Sequence, residues 1–282
     1  MQRERITDNI LVFRSDQYAQ VTAGVVLTSA GAVLIDTLLY PEESQRICRF
    51  VESGLGYEFA FVINTHFHAD HTTGTCFFPG AQVIGHRLCR DLLDTRGRDG
   101  LQHLKESSPE FESVRLVLPN IVFDDELTLY LGDTTITMWS SPGHSPDSIV
   151  CLVEEEDILF AGDSVMPIPY FVDGDFEDFK RSLRRLRNAA FENIVQGHGD
   201  IILRGEAEEK LDSDLAYLDL LDKAVAESIG IAATEAEERI TAEDCGKSQV
   251  LLNGVVRELH RQNLRSMIER QQRSNKGAGA LL

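Results

Sequence analysis

No apolar run in this chain approaches the length of a membrane span, and the N-terminal Met-Gln-Arg-Glu-Arg-Ile-Thr-Asp lacks the apolar stretch of a secretion signal. Cytoplasm is therefore the expected compartment. A basic face is missing as well: 27 Lys and Arg stand against 46 Asp and Glu, a net charge of −19. Such a chain cannot release counterions from a polyanion, which excludes nucleic acid and an anionic membrane as expected partners. Its acidity otherwise serves solubility. There is no CxxC: Cys48, Cys76, Cys89, Cys151 and Cys245 are odd in number and widely spaced. They read as reduced thiols and not as a disulfide frame. No G-x-S-x-G elbow and no internal repeat occur, so the chain offers no serine nucleophile of that type.

What the chain does have is Thr65-His-Phe-His-Ala-Asp-His71, directly after the apolar run Phe59–Asn64. Side chains two apart on an extended segment point the same way, so His66 and His68 can grip one ion. Asp70 and His71, past the bend, can face a second. Imidazole suits borderline divalent metals, and a carboxylate adds charge and a proton acceptor.

Three later segments repeat the pattern of a polar side chain in a tight turn at a strand end. Ser-Pro-Gly-His144-Ser-Pro follows the alternating run Thr134–Trp139. Ala-Gly-Asp163-Ser follows Ile158–Ala161, and Gln-Gly-His198-Gly follows Asn193–Val195. Glycine and proline beside each candidate allow a sharp turn and keep bulk away from an ion. His86, His103 and His260 lie instead in helix-like polar stretches and read as surface or structural residues.

These residues in this order resemble the metallo-β-lactamase superfamily of metal-dependent hydrolases, over about residues 8 to 205. The resemblance implies an αββα sandwich: two mixed β-sheets flanked by helices. It implies two divalent ions per chain, with zinc expected first and iron or manganese also fitting. His66, His68 and His144 would hold one ion, Asp70, His71 and His198 the other, with Asp163 bridging. Asp36, at the strand end Leu34-Ile-Asp-Thr37, would orient the metal loop, since such loops need hydrogen-bonded outer partners. The implied chemistry is metal-assisted hydrolysis through a bridging hydroxide, with Asp70 accepting its proton.

The organisation of the chain agrees. Strand-like alternation covers Ile10–Phe13, Gln20–Thr28 and Ala32–Ile35. Pro41-Glu-Glu opens a helix that Gly54 closes. A short strand, Ala81–Ile84, precedes a polar helical excursion over one rim of the site (86–115). A second strand series follows: Leu127–Leu131, Thr134–Trp139, Ser148–Val153 and Asp157–Ala161. Phe176, Phe179, Leu183 and Leu186 then mark an amphipathic helix. The reading is one catalytic domain over 1–205 and a C-terminal helical extension over 206–282, two or three helices ending in a frayed Asn-Lys-Gly-Ala-Gly-Ala tail.

The substrate expectation rests on departures from the family's patterns. Lactam-hydrolysing members usually carry Cys or Ser where this chain has Asp163; the carboxylate resembles the glyoxalase II and lactonase branches. The Gln-Gly-His198-Gly context and the lack of a basic pair depart from glyoxalase II. The acidic balance departs from the ribonuclease branch. The loop Val165–Phe171 is unusually apolar beside such a centre. Met166, Ile168, Tyr170 and Phe171 are expected to form an acyl wall, with the Tyr170 hydroxyl as oxyanion donor; core packing is the alternative for the same loop. The expected activity is cleavage of an ester, lactone or thioester of a small, partly apolar molecule. A β-lactam hydrolase, an iron-dependent thiol dioxygenase and a non-catalytic binding protein of the same fold stand as alternatives. The partner is a small-molecule substrate, and a homo-oligomer is compatible with the sequence.

Overall fold

In the computed structural model, which describes residues 1–228 and 233–279, two sheets pack face to face. The first runs β1 (Gln2–Arg5), β2 (Ile10–Arg14), β3 (Thr22–Thr28), β4 (Gly31–Ile35), β5 (Phe59–Ile63), β6 (Gln82–His86) and β7 (Ile121–Phe123), in that spatial order. It is antiparallel up to β4 and parallel from β4 to β7. The second contains β8 (Glu126–Leu131), β9 (Thr134–Ser140), β10 (Ile149–Val153), β11 (Ile158–Gly162) and β12 (Asn193–Gln196), in the spatial order β12-β11-β10-β9-β8. Only its β11–β12 pair is parallel.

Period-two alternation explains how each strand serves two layers. On β2, Ile10 and Val12 enter the core between the sheets, with Ile136, Met138 and Phe160 of the second sheet. Leu11 and Phe13 point the other way, beside Ile47 of α1 (Pro41–Arg49). α1 begins at Pro41, as its sequence signals. It runs on through a π-turn (50–55) to Gly56, whose φ of 79° ends it two residues beyond the expected Gly54. β1 was not anticipated, because Gln2–Arg5 is a charged, exposed edge strand without alternation. The three residues of β7 are too few to show any period.

The remaining helices are α2 (Ala69–Thr72), α3 (Arg87–Leu92), α4 (Arg98–Ser107), α5 (Phe176–Arg187), α6 (Ala207–Glu227), α7 (Ala233–Arg239) and α8 (Val255–Gly279). On α5 the Asp175 side chain caps the N-terminus by accepting from the backbone of Glu177 and Asp178. Its 12 residues would be marginal in isolation. Four buried anchors, Phe176, Phe179, Leu183 and Leu186, hold it, each contributing roughly 1.5–3 kcal/mol. α6 and α8 share one core with α5 and the outer face of the second sheet: Leu218, Leu221 and Leu264 meet Val150, Leu159 and Ile194. α8 continues to Gly279, through most of the stretch expected to fray, and residues 280–282 lie outside the described residues. All five cysteines are free. Among the described residues no helix is long and apolar enough to cross a membrane.

Candidate metal centre

The strand ends bring the candidate ligands together. The loop after β5 carries His66 and His68, and α2 carries Asp70 and His71; the β9–β10 loop supplies His144. Asp163 follows β11 and His198 follows β12. Carboxyl ends of parallel strands are where open α/β sheets form their crevices. Two glycines permit the approach. A Cβ on Gly197 would overlap Asp163 Oδ1, and Gly143, at φ 145°, would drive a side chain into the backbone of Phe179.

Two donor sets result. In the first, His68 Nδ1 stands 3.0 Å from His66 Nε2 and 2.9 Å from His144 Nε2, with Asp163 Oδ2 3.3 Å from the latter. In the second, His198 Nε2 is 3.4 Å from Asp70 Oδ2 and 3.5 Å from Asp163 Oδ1, and His71 Nε2 is 3.3 Å from Asp163 Oδ1. Asp163 thus gives one oxygen to each set.

The outer nitrogens decide what the inner ones can do. His68 Nε2 donates to Asp173 Oδ2 (2.9 Å), His144 Nδ1 to the Tyr170 carbonyl (2.7 Å) and His198 Nδ1 to the Ala19 carbonyl (2.9 Å). His71 Nδ1 donates to Asp36 Oδ2 (2.8 Å). His66 Nδ1 donates to Thr65 Oγ1 (3.0 Å), whose own proton goes to Asp36 Oδ2 (2.8 Å). With the outer proton fixed, a neutral ring turns a bare lone pair inward. Three lone pairs at 2.9–3.0 Å with no proton among them repel, unless a cation stands between them. His71 Nε2 and Asp163 Oδ1 are buried and have no hydrogen-bond partner. The donor set therefore fits divalent metal.

Electrostatics point the same way. Burial and the neighbouring imidazoles hold His66 neutral, well below its usual range, and burial pushes His144 down to about 4. Burial also opposes charge on His71 and His198, yet the carboxylates win: Asp163, Asp36 and Asp70 raise His71, and Asp163 and Asp70 raise His198. Burial works against charge on Asp163 too, but His198, His71 and His144 hold it well below the carboxylate range. The carboxylates of the second set thus favour positive charge at its centre.

Asp36 sits where the sequence expects a supporting acid. Its φ of 58° is left-handed, a conformation that Asp tolerates better than most residues. Its carboxylate accepts from the Thr65 backbone (2.8 Å), Thr65 Oγ1 and His71. His86, His103 and His260 stay away from the centre: His86 caps α3, His103 bonds the Asp99 carbonyl, and His260 is buried between Tyr217 and the Ile240 carbonyl.

The apolar loop divides. Met166 and Tyr170 line the cleft above the donors, whose volume is about 340 Å³. Ile168 and Phe171 do not; both are fully buried in the core against α5, α6 and α8. Asn263 of α8 fixes them there, accepting from the Phe171 backbone (3.2 Å) and donating to the Pro169 carbonyl (2.7 Å). The Tyr170 hydroxyl, expected as an oxyanion donor, instead donates to Gln262 Oε1 at 2.6 Å. Sequence reading missed the rest of the cleft: Tyr18, Asp173, and Leu252, Val255 and Leu259 from the C-terminal helices. An apolar stripe on a helix looks the same whether it meets a core or a substrate. Asp173 also accepts from Arg96 (2.7 Å) and is held far below the carboxylate range, chiefly by the His68 hydrogen bond.

The family model for the metallo-β-lactamase superfamily matches residues 18–206. A β-lactamase-like protein 2 homolog from Caenorhabditis elegans is 24% identical over 67% of this chain and 59% of its own. An atrochrysone carboxyl ACP thioesterase from Claviceps purpurea is 23% identical over 80% of this chain and 66% of its own. The match thus spans less than two thirds of either relative's length. A solved metallo-β-lactamase from Pontibacter korlensis superposes with a TM-score of 0.63 at 20% identity, over 77% of this chain and 98% of that one.

Proposed function

The chain belongs to the metallo-β-lactamase superfamily, and from that membership we propose a dinuclear metal-dependent hydrolase that cleaves the thioester, ester or lactone bond of a small, partly apolar substrate. One observation carries this reading. Five imidazoles have their outer nitrogens engaged and turn the other nitrogen inward, and Asp163 offers one oxygen to each of two donor sets. His66, His68, His144 and Asp163 would hold one ion, and Asp70, His71, His198 and Asp163 the other, zinc being the first expectation for these donors. Two such ions supply a nucleophile at neutral pH by acidifying water, and polarise a carbonyl oxygen.

The protein's own groups do the rest. Asp70 lines the cleft beside His198 and, unlike Asp163, does not offer an oxygen to both donor sets, so it takes the proton from the attacking water. Tyr18 lines the same cleft, and its hydroxyl has no hydrogen-bond partner among the described residues. The negative charge of Asp70, with burial, pushes it up to about 12, which keeps it a donor to a developing oxyanion. Leu252, Val255 and Leu259 give the cleft an apolar side. The thioesterase name of the Claviceps purpurea relative supports placing thioesters first.

Metal-reconstituted protein, assayed against thioesters, esters, lactones and β-lactams with its metal content measured in parallel, tests the reading. Turnover of an acyl thioester or ester at two ions per chain is expected. Saturation at a single ion, or turnover confined to β-lactams, would overturn it.

A further inference from the structure

Residues 87–107 form one helical run interrupted by a π-turn at 93–97. Such turns recur at functional sites. Beneath the run lies a cavity of about 140 Å³ with walls of Phe67, Leu93, Leu101, Leu104, Val114 and Leu116. His68 and Ala69 border both this cavity and the cleft of the donor sets. At its lip Arg96 lies over the Phe67 ring, 4.7 Å from the centroid, and pairs with Asp173, the partner of His68.

Gly100 is the informative residue. Glycine is the poorest helix former after proline, and Gly100 stands in the first turn of α4, within the longer helical run. Its φ is not positive, and a Cβ there would meet no atom within 4 Å. Neither backbone conformation nor packing demands it. Gly100 is exposed and borders the cavity, so its bare backbone leaves that edge of the void open. An apolar void of about 150 Å³ in another protein holds one benzene molecule, so this one matches a single six-membered ring.

We propose that the cavity is the tail pocket of the hydrolase: it takes one uncharged six-membered ring, or an alkyl group of that bulk, from a substrate whose scissile carbonyl lies in the adjoining cleft. The pocket supplies the apolar surface that Ile168 and Phe171, buried in the core, do not. Its catalytic half rests on the function proposed above; its binding half does not.

The full-length protein is titrated with fluorobenzene and followed by fluorine NMR. Wild type should give a saturable shift, and Gly100→Leu, which fills the void from the helix, should weaken it on the order of tenfold or more. Leu116→Phe fills it from the opposite wall, should one variant fold poorly. In the metal-loaded protein both variants should lower the ratio of phenylacetyl to acetyl thioester kcat/KM by a similar factor, with metal content unchanged. Absence of saturable binding in wild type, or binding indifferent to both substitutions, overturns the pocket. Hydrolysis with an unmoved ratio overturns the tail assignment and leaves the hydrolase standing. Binding lost in both variants without hydrolysis of any substrate keeps the ring site and overturns the hydrolase.

Discussion

His68 donates through Nε2 to Asp173 Oδ2 at 2.9 Å, and so it alone of the five clustered imidazoles turns Nδ1 inward. An outer carboxylate fixes the ring and raises its basicity, and losing such a partner typically costs 10–100-fold in metal affinity. Asp173→Ala should therefore weaken metal retention by about that factor, while Asp173→Asn, which keeps an acceptor, should lose less. Competition against a chelator measures both. Equal retention in wild type and Asp173→Ala would contradict the role.

Asp70→Asn keeps an oxygen but loses charge and proton affinity. On the proposed chemistry kcat should fall by roughly two orders of magnitude or more, in the range of lost acid–base assistance. Metal content should fall less than in His71→Ala. Near-native turnover would remove Asp70 from the proton path.

The two cleft tyrosines should behave differently. The Tyr170 hydroxyl is committed to Gln262, so Tyr170→Phe should leave kcat within a few-fold of wild type. Tyr18→Phe should lower kcat more than it raises KM, because an oxyanion donor acts mainly in the transition state. Steady-state kinetics on both variants with one thioester decides, and the reverse order would return the role to Tyr170.

Phe171 is 0% exposed in the core beneath the site. Phe171→Ala should destabilise the fold by about 3–5 kcal/mol, as buried aromatic truncations do, and leave acyl-chain preference unchanged. Urea unfolding paired with a chain-length series tests both halves. A flattened preference at native stability would restore Phe171 to the substrate wall.

A buried cluster under the cleft loop yields a pH prediction. Lys210 donates to the Met166 carbonyl and to Asp214, which Lys247 also binds. Two lysines share one carboxylate; burial, with the charge of Lys247, outweighs Asp214 and pushes Lys210 down to about 8 from 10.5. In that window the unfolded chain holds this proton and the folded one does not, so stability gains as pH rises from about 8 towards 10.5. Below about 8 the cost is fully present, on the order of 3 kcal/mol. The stability of wild type relative to Lys210→Met should rise between pH 7.5 and 9.5. A difference independent of pH refutes the linkage.

The loops that meet at the candidate centre were legible because each is a short polar island at the end of an apolar run. Asp36 was legible for the same reason. Asp173 was not: no local pattern marks it, and its contact with His68 exists only once chain 105 residues apart is brought together. Within Val165–Phe171 the sequence could not separate Met166 and Tyr170 from Ile168 and Phe171. Which side chain faces the cleft is set by Asn263, about ninety residues later. The cleft-lining role of Leu252, Val255 and Leu259 was hidden likewise, since composition does not say which surface a helix covers.

The position of Asp36 makes the two donor sets a single thermodynamic object. One carboxylate accepts from His71 of the second set and, through Thr65 Oγ1, supports His66 of the first. Basicity drawn towards one ring is withdrawn from the other. By reciprocity, whatever fills one set changes the affinity of the other by the same factor in either order. On the proposed two-ion reading, loading is a coupled equilibrium to which Asp36 contributes without touching either ion, beside the direct link through Asp163.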